Sequence, residues 1–248
     1  MACLPACDHA PPAIVSTVGA AENPDAPYDP WEGVNRHAYA LGDVLDHYLM
    51  RPVAMSYKRW LPRPIRHGVR NVLANLDEPL IAINDVLQVR PLAAGRTGVR
   101  FLANSTIGIA GIIDVASHAG LQHHDNDFGL TLGRYHVPAG PYLYLPIAGP
   151  SNVRDLAGGV VDFFLDPISL SNASNADQWT GAQITLDVID TRAEIDGDLS
   201  TMKATAFDPY VTVRSTYTQA RTSALHPGVV DLDTLPDFPD PATPGGAP

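Results

Sequence analysis

Prolines divide this chain into short segments, and their positions constrain the fold more than any other feature of the sequence. Inside a helix, proline removes a backbone hydrogen bond and clashes with the preceding turn, whereas in the first turn it is tolerated. Six prolines stand where a helical repeat of apolar residues begins: Pro30, Pro52, Pro64, Pro79, Pro91 and Pro209. The sequence therefore predicts a mainly α-helical domain of short helices.

The first helix is predicted to start at Asp29, which precedes Pro30 and Glu32 in the order of an N-cap, a first-turn proline and a capping-box partner. From Val34 to Tyr48 apolar residues recur at steps of three and four, which gives this helix one apolar face. We expect Pro52 to restart the chain in a second short helix, and the LDEP motif at 76–79 to break it again. Later helices are predicted over these ranges: 79–88, 91–106, 177–192 and 209–223.

Two regions depart from the helical repeat. From residue 108 to residue 159 glycine and proline are frequent, so we expect a loop-rich region in which only Tyr142 to Leu145 looks like a strand. Its glycine pairs indicate close helix packing or hinges: Gly108 with Gly111, and Gly158 with Gly159. Residues 184–188 alternate between apolar and polar, as a strand does, and only the family resemblance described below favours a helix there.

The composition limits the partners. Of 248 residues, 45% are hydrophobic and only 17% are charged, and the mean hydropathy is −0.03, so some apolar surface is expected to face lipid. The net charge of −11 argues against a nucleic-acid ligand and against attraction of the whole molecule to an anionic membrane. The sequence contains no run of about 20 apolar residues that could span a bilayer as a helix.

The two ends differ from the middle. Residues 1–28 contain the only cysteines, Cys3 and Cys7, and Leu4-Pro5-Ala6-Cys7 looks like the lipobox at which bacterial lipoproteins are cleaved and lipidated. We expect Cys7 to carry the lipid and the prolines that follow it to form a tether. Residues 224–248 are rich in proline and aspartate, and we expect a disordered tail. The folded domain is thus expected over residues 29–223.

A basic stretch without any Asp or Glu stands out in this acidic chain. Its members are Arg51, Lys58, Arg59, Arg63, Arg66 and Arg70. The stretch could be an ordinary solvated surface or a set of contacts to phospholipid headgroups. Either interpretation places it outside the core.

The chain offers little catalytic chemistry. His118, His123, His124, Asp125, Asp127 and His136 could supply imidazole and carboxylate ligands, but their spacing matches no metal box, and HHDND has the character of an exposed polar loop. A serine-nucleophile elbow, a phosphate-binding loop and a dinucleotide fingerprint are all missing from the sequence. We expect no enzyme activity, no metal and no cofactor; a metal-dependent hydrolase using the loop from His118 to His136 is a distant third hypothesis.

Five motifs together resemble the MlaA/VacJ family of outer-membrane lipoproteins. They are DPWEGVNR at 29–36, LDEP at 76–79, RFLANSTIGIAGIIDVAS at 100–117, FGLTLGRYHVPAGPYLYLPIAGPSNVRD at 128–155 and DPYVTVRSTY at 208–217. The resemblance covers about residues 28–223. It implies a ring-like helical protein, anchored on the periplasmic side of the outer membrane, with an amphipathic passage. Phospholipids misplaced in the outer leaflet would pass through it to a periplasmic lipid carrier, with a trimeric porin as partner.

The resemblance also implies roles for particular residues. His136, Val137, Pro138, Ala139, Gly140 and Pro141 correspond to a glycine-rich hairpin that controls opening of the passage, although here only Gly140 remains of its glycines. Asn35 with Arg36, and Arg154 with Asp155, match family motif positions, where they either hold helices together or line the passage. The alternative function is a lipid-anchored scaffold that organises outer-membrane proteins without moving lipid.

Overall fold

A computed structural model describes residues 28–166 and 176–226, in which α-helices surround one small antiparallel sheet. A five-residue π-helical turn, Asp46–Met50, joins the first two helices without a break. The helices are α1 Glu32–Leu45, α2 Arg51–Trp60, α3 Arg63–Leu87, α4 Pro91–Thr106, α5 Val115–His118, α6 Phe128–Arg134, α7 Val153–Leu165, α8 Ala176–Glu194, α9 Asp196–Thr205 and α10 Pro209–Leu225. Strand β1, Tyr142–Leu145, pairs with β2, Gly149–Asn152. The fold is mainly α, as the sequence predicts.

The contacts between these elements form a closed circuit. α1 contacts β1, β2 contacts both α7 and α10, α7 packs on α6, and α6 contacts α3. α3 and α2 in turn pack on α8, and α2 continues from α1 through the π-helical turn. α4 lies outside this circuit on α3, in the most extensive helix pairing of the molecule. The order of contacts is that of a single domain arranged around a gap.

The interior is polar to an unusual degree. Among the described residues, buried polar and charged side chains outnumber buried apolar ones, and the former include Glu78, Asn84, Asp85 and Arg100. Arg100 donates to Glu78 over 2.6 Å, and both side chains are almost fully enclosed. Burial of an unpaired charge is strongly unfavourable, so these pairs must form for α3 and α4 to pack.

The predicted start of α1 is wrong. The helix begins at Glu32, and its N-cap residue is Trp31, with no side-chain cap. Asp29 instead accepts hydrogen bonds from Asn35, from Tyr210 and from Arg214. Tertiary partners from α10 therefore occupy the carboxylate that local capping would have used.

The predicted breaks at Pro52 and Pro79 are also absent. Pro52 lies just after the π-helical turn, and the chain stays helical from α1 into α2. Pro79 lies inside α3, which runs unbroken for 25 residues. Its neighbour Glu78 is bound by Arg100 of α4. The extensive α3–α4 packing offsets the backbone hydrogen bond that Pro79 removes.

Other expectations are confirmed. The run from Tyr142 to Leu145 is a strand, and residues 184–188 are helical within α8. The region 108–159 is less irregular than predicted, because it contains α5, α6 and the start of α7. Gly158 explains one of the glycine signals, because a Cβ there would lie 2.4 Å from the backbone nitrogen of Gly129 where α6 and α7 cross. The predicted tether, Cys7 and the tail beyond residue 226 lie outside the described residues.

Candidate functional site: an amphipathic cavity inside the helical circuit

A smaller circuit of contacts runs through α1, the β-hairpin, α10, α9, α8 and α2, and a cavity of about 600 Å³ lies within it. Its walls come from α1, the π-helical turn, the β-hairpin and the three last helices, α8 to α10. The lining residues are Tyr39, Gly42, Asp43, Asp46, Met50, Tyr144, Pro146, Ile147, Ala148, Gly149, Pro150, Asp187, Val188, Thr191, Arg192, Ile195, Asp198, Leu199, Met202, Lys203, Thr212, Val213, Thr216, Tyr217 and Ala220. Most of the lining is apolar, and charged groups from α1, α8 and α9 interrupt it.

The hairpin reaches the cavity because it packs closely against α1 at a residue without a side chain. Gly42 of α1 faces the hairpin turn so closely that a Cβ would lie 2.9 Å from the carbonyl oxygen of Pro146. At the other end of the strand, Asn35 donates to the carbonyl of Tyr142 and accepts from the N–H of Tyr144. The Asn35 amide thus pairs with β1 as a neighbouring strand would.

Charged pairs cross one side of the cavity. Arg192 of α8 binds both carboxylate oxygens of Asp46, at 2.5 and 2.9 Å, and Lys203 of α9 binds Asp43. Burial works to raise the pKa of Asp46, but the hydrogen bonds and charges of Arg192 and Lys203 together keep that pKa below its ordinary value. Burial raises the pKa of Asp187, and the neighbouring Asp190 adds to the shift. This side can therefore contact a charged or zwitterionic group.

Aromatic and aliphatic groups form another side. Tyr39 of α1 meets Tyr144 of β1 edge to face, with ring centroids 5.2 Å apart. Burial raises the pKa of Tyr144 to about 12, so its hydroxyl is neutral across the physiological range. Apolar residues of α8 to α10 extend this surface, among them Val188, Leu199 and Val213. One ligand could therefore place a polar end and an apolar end on different walls.

The first predicted polar pair does not line the cavity. Asn35 is buried and clamps β1 as described above. Arg36 lies near the N-terminal end of α1, where it binds Glu32 over 2.8 Å and Asp208 over 2.7 Å. Its guanidinium also stacks 4.6 Å from the ring centroid of Tyr210. These contacts favour the interpretation in which the pair holds α1 against the hairpin and α10.

The second predicted pair lies between α6, α7 and α10, also away from the cavity lining. Arg154 contacts Asp155 over 3.1 Å and donates to the carbonyl of Val137. Asp155 further accepts a hydrogen bond from Tyr217 and forms an ion pair with Arg221 of α10, 2.8 Å from its Nε. Burial works to raise the pKa of Asp155, but these partners hold it below its ordinary value. The contacts join three helices.

The segment 136–141 leads into the hairpin rather than lining the cavity. Arg154 contributes its backbone N–H to the carbonyl of Ala139, and Val153 donates to Pro141, so α7 holds the segment at two points. His136 and Gly140 both have positive φ, at 61° and 71°. A Cβ on Gly140 would lie 3.3 Å from the Cβ of Val153. The residues that reach the cavity are those of the hairpin itself, from Tyr144 to Pro150.

The predicted basic stretch is divided between ion pairs and free groups. Arg51 binds Asp196, Lys58 donates to the carbonyl of Ala193, and Arg70 binds Asp190 and Glu194. Much of the stretch therefore holds α2 and α3 on α8 and α9. Arg59 and Arg63 are exposed. The expectation that the stretch lies wholly outside the core is wrong for one member: Arg66 is buried. Its position on the α8-facing side of α3 explains this.

The histidine-rich loop is more structural than its sequence suggests. His123 lies 3.1 Å from Glu78 and 3.3 Å from Asp125, and His124 lies 3.0 Å from Asp85. Both imidazoles are about two-thirds buried, so the loop is not fully exposed as predicted. In the described part of the chain, no group of three or more His, Cys, Asp or Glu side chains is arranged to hold a metal ion.

Several cavity residues were missed at the sequence level. Gly42, Arg192 and Lys203 are isolated in the sequence, and their significance comes from partners more than 100 residues away. One signal was available: the stripe that contains Leu41 and Leu45 leaves Gly42 and Asp46 on another face of α1. A helix with one apolar face and a second, partly polar face is expected to contact a different environment on each of them.

The outer surface of the helices is rich in apolar residues. Many large apolar side chains are exposed on the helices, including Leu92, Trp60 and Phe164. Ile107, Ile109, Ile112 and Ile113 cluster in the exposed loop after α4. In the described ranges no helix is long and apolar enough to cross a bilayer. The fold and site define a class of protein: a ring of helices with an apolar exterior, a polar interior and an amphipathic cavity.

Comparison with known proteins identifies the family. The profile of the MlaA lipoprotein family matches residues 27–224, and the chain belongs to this family. It is 38% identical over 196 residues to the intermembrane phospholipid transport system lipoprotein MlaA of Escherichia coli, covering 77% of this chain and 76% of that protein. The Haemophilus influenzae protein of the same name is 32% identical, covering 91% of this chain and 93% of its own.

A solved structure agrees with the fold. It was described in work on the structural basis for maintenance of bacterial outer membrane lipid asymmetry, and it superimposes with a TM-score of 0.71 at 33% sequence identity. The match covers 79% of this chain and 98% of the solved chain. The overall fold is therefore shared with that structure.

Proposed function

We propose that this protein is an outer-membrane lipoprotein that removes misplaced phospholipid from the outer leaflet and passes it to a periplasmic carrier. The observation that carries the proposal is the inverted distribution of side chains around an amphipathic cavity. Apolar residues cover the outside, charged pairs fill the inside, and the cavity has both kinds of wall. The relatives named for intermembrane phospholipid transport support it.

The energetics of lipid transfer explain why such a protein needs both walls. Burying one CH₂ group is worth about 0.8 kcal/mol, so moving two acyl chains into water costs on the order of 20 kcal/mol. A passive protein must therefore leave the tails in hydrocarbon and give the headgroup a polar path. The charged side at Asp46 and Arg192 suits the headgroup, and the apolar exterior lets the ring sit within a leaflet.

The remaining parts of the proposal concern anchoring, partners and gating. The protein is held on the periplasmic side of the outer membrane by a lipid on Cys7, next to a trimeric porin. Residues 136–141 set the position of the hairpin and thereby the opening of the cavity. Asn35, Arg36, Arg154 and Asp155 hold the helices that frame the hairpin. No catalytic step is part of this function.

A bulky residue in the cavity tests transport directly. Ala220 of α10 lines the cavity, and Ser223, three residues later, is exposed and does not. In cells that depend on this protein, Ala220→Trp should increase phospholipid in the outer leaflet and sensitivity to detergent, while Ser223→Trp should not. Thermal melts of both purified variants check that the fold is kept.

The outcome separates transport from scaffolding. If Ala220→Trp keeps the fold and the outer leaflet stays normal, the cavity is not the lipid path and the scaffold hypothesis takes its place. Mass spectrometry of the gently extracted parent should detect bound phospholipid that Ala220→Trp lacks. Flotation of the full chain carrying Cys7→Ala with phospholipid vesicles tests the apolar exterior separately, since that variant should still float without its lipid.

A further inference from the structure

A second cavity lies in the angle between α2, α3 and α8, and basic side chains line most of it. Its volume is about 290 Å³, and its lining consists of Lys58, Arg63, Arg66, His67, Arg70 and Glu194. A water molecule occupies about 30 Å³ in the liquid, so the space admits a group much larger than water. It shares no lining residue with the central cavity.

The charges in this basic pocket do not balance. Lys58, Arg63, Arg66 and Arg70 face one carboxylate of the lining, Glu194, and Arg70 also binds Asp190 behind it. Four cations thus meet two carboxylates. The pocket also adjoins the first two turns of α3, where the helix dipole adds partial positive charge.

Arg66 is the buried cation of this pocket, and its pairing is incomplete. Its side chain is only 9% exposed, its one ionic contact is Glu194 at 3.6 Å, and its Nε is buried with no hydrogen-bond partner in the described part of the chain. A buried guanidinium donor without an acceptor is unfavourable, and guanidinium forks match the oxygens of phosphate. Lys58 donates to the carbonyl of Ala193, which holds its ammonium beside the pocket.

We propose that this basic pocket binds a phosphate group, as a phosphate monoester or diester. Arg63, Arg66 and Lys58 supply positive charge to the lining, and His67 adds a ring nitrogen. The surroundings favour a phospholipid headgroup as the source, because Trp60 and Ile65 beside the pocket in sequence are 79% and 54% exposed. Tryptophan is enriched where a protein meets the interface of a membrane.

The test compares two double variants that remove equal charge. Lys58→Gln with Arg63→Gln removes two exposed lining cations, while Arg59→Gln with Arg96→Gln removes two exposed cations that do not line the pocket. Calorimetry of the full chain in detergent measures binding of inorganic phosphate. Flotation measures binding to vesicles containing phosphatidic acid, against neutral glycolipid vesicles without phosphate.

For phosphatidic acid vesicles, we expect the Kd of the pocket variant to be at least about 10-fold higher than the Kd of the parent. The control variant should stay within about 2-fold of the parent at the same salt concentration. A loss seen with inorganic phosphate but not with vesicles would assign the pocket to a free phosphate. Equal behaviour of the two double variants in both assays would overturn the proposal. Because this basic pocket is distinct from the central cavity, that result leaves the transport proposal standing.

Discussion

The α3–α4 layer and the central cavity both contain charged side chains, but they enclose them differently. In the layer, Arg100 and Glu78 are 2% and 1% exposed and are bonded to each other. At the cavity, Lys203 and Asp43 form a similar pair, yet 32% and 49% of their side chains remain exposed. The same chemistry therefore serves two purposes. Enclosed pairs fix one helix on another, whereas open pairs keep donors and acceptors accessible to a ligand.

The enclosed network also recruits the histidine loop. Arg100 binds Glu78, Asp114 and Ser117 at once, while His123 reaches Glu78 from the other side. The hydrogen bonds from Ser117 lower the pKa of Asp114 to about 2, against the effect of burial, so the carboxylate stays charged in the fold. We therefore expect loss of any single member of this network to lower the stability of the protein. Loss of a charged residue at the cavity should change the stability much less.

Breaking the enclosed pair should have the largest effect. Arg100→Met leaves His123 as the remaining charged partner of Glu78 and removes the cation from Asp114, and breaking buried charge pairs of this kind costs about 3–5 kcal/mol. We expect a strongly lowered melting temperature in detergent or failure to fold. Arg96→Met, on the exposed side of the same helix, is the matched control and should change the free energy of unfolding by less than about 0.5 kcal/mol. Equal melting of the two variants would contradict the structural role of the layer.

The histidine in this network should make stability depend on pH. Hydrogen bonds to Asp125 and Glu78 raise the pKa of His123 to about 9 from its ordinary value of 6.5. A raised folded-state pKa gives stability that is complete below about pH 6.5 and lost as the pH rises through 9. His123→Gln should therefore destabilise the protein at pH 6, by at most about 3 kcal/mol, and much less at pH 10. Denaturation of both proteins at the two pH values measures this; a constant difference would show that proton binding is not involved.

The segment before the hairpin tests whether the cavity wall moves. Gly140→Val places a β-branched residue at φ 71°, next to Val153, and should cost about 1–3 kcal/mol. We expect a lower melting temperature and altered lipid removal, seen as a change in detergent sensitivity of cells. Pro138→Gly should loosen the segment and increase flux. If neither variant affects the barrier, residues 136–141 form an ordinary turn.

Opening the exposed pair should have the smallest effect on stability. Exposed ion pairs contribute about 0–1 kcal/mol, so Lys203→Met should melt close to the parent. Since Lys203 lines the cavity, the same change should still slow lipid removal and increase outer-leaflet phospholipid. A matched control is Arg96→Met, because Arg96 is exposed and lines neither the central cavity nor the basic pocket. Slowed removal by both variants alike would point to general charge effects instead of the cavity.

Much of the secondary structure and the family could be predicted from the sequence. Helical signals located α1, α4 and α10, the strand β1 was visible as alternating tyrosine and leucine, and the family resemblance identified the ring-like fold and the helix α8. These features depend on neighbours within a few residues, which the sequence displays directly. The errors at Asp29, Pro52 and Pro79 arose where distant partners or packing outweighed a local rule.

Only the tertiary structure decided which charges are enclosed and which stay open. Asp46 and Arg192 are separated by 146 residues, and Asp43 and Lys203 by 160. The buried Arg66 looked like its exposed neighbours Arg59 and Arg63 in the sequence. Burial and pairing are properties of where helices cross, because the free energy of a charge depends on its solvent and its partners. Composition fixes how many charges the chain has, and the packing of its helices determines what each one does.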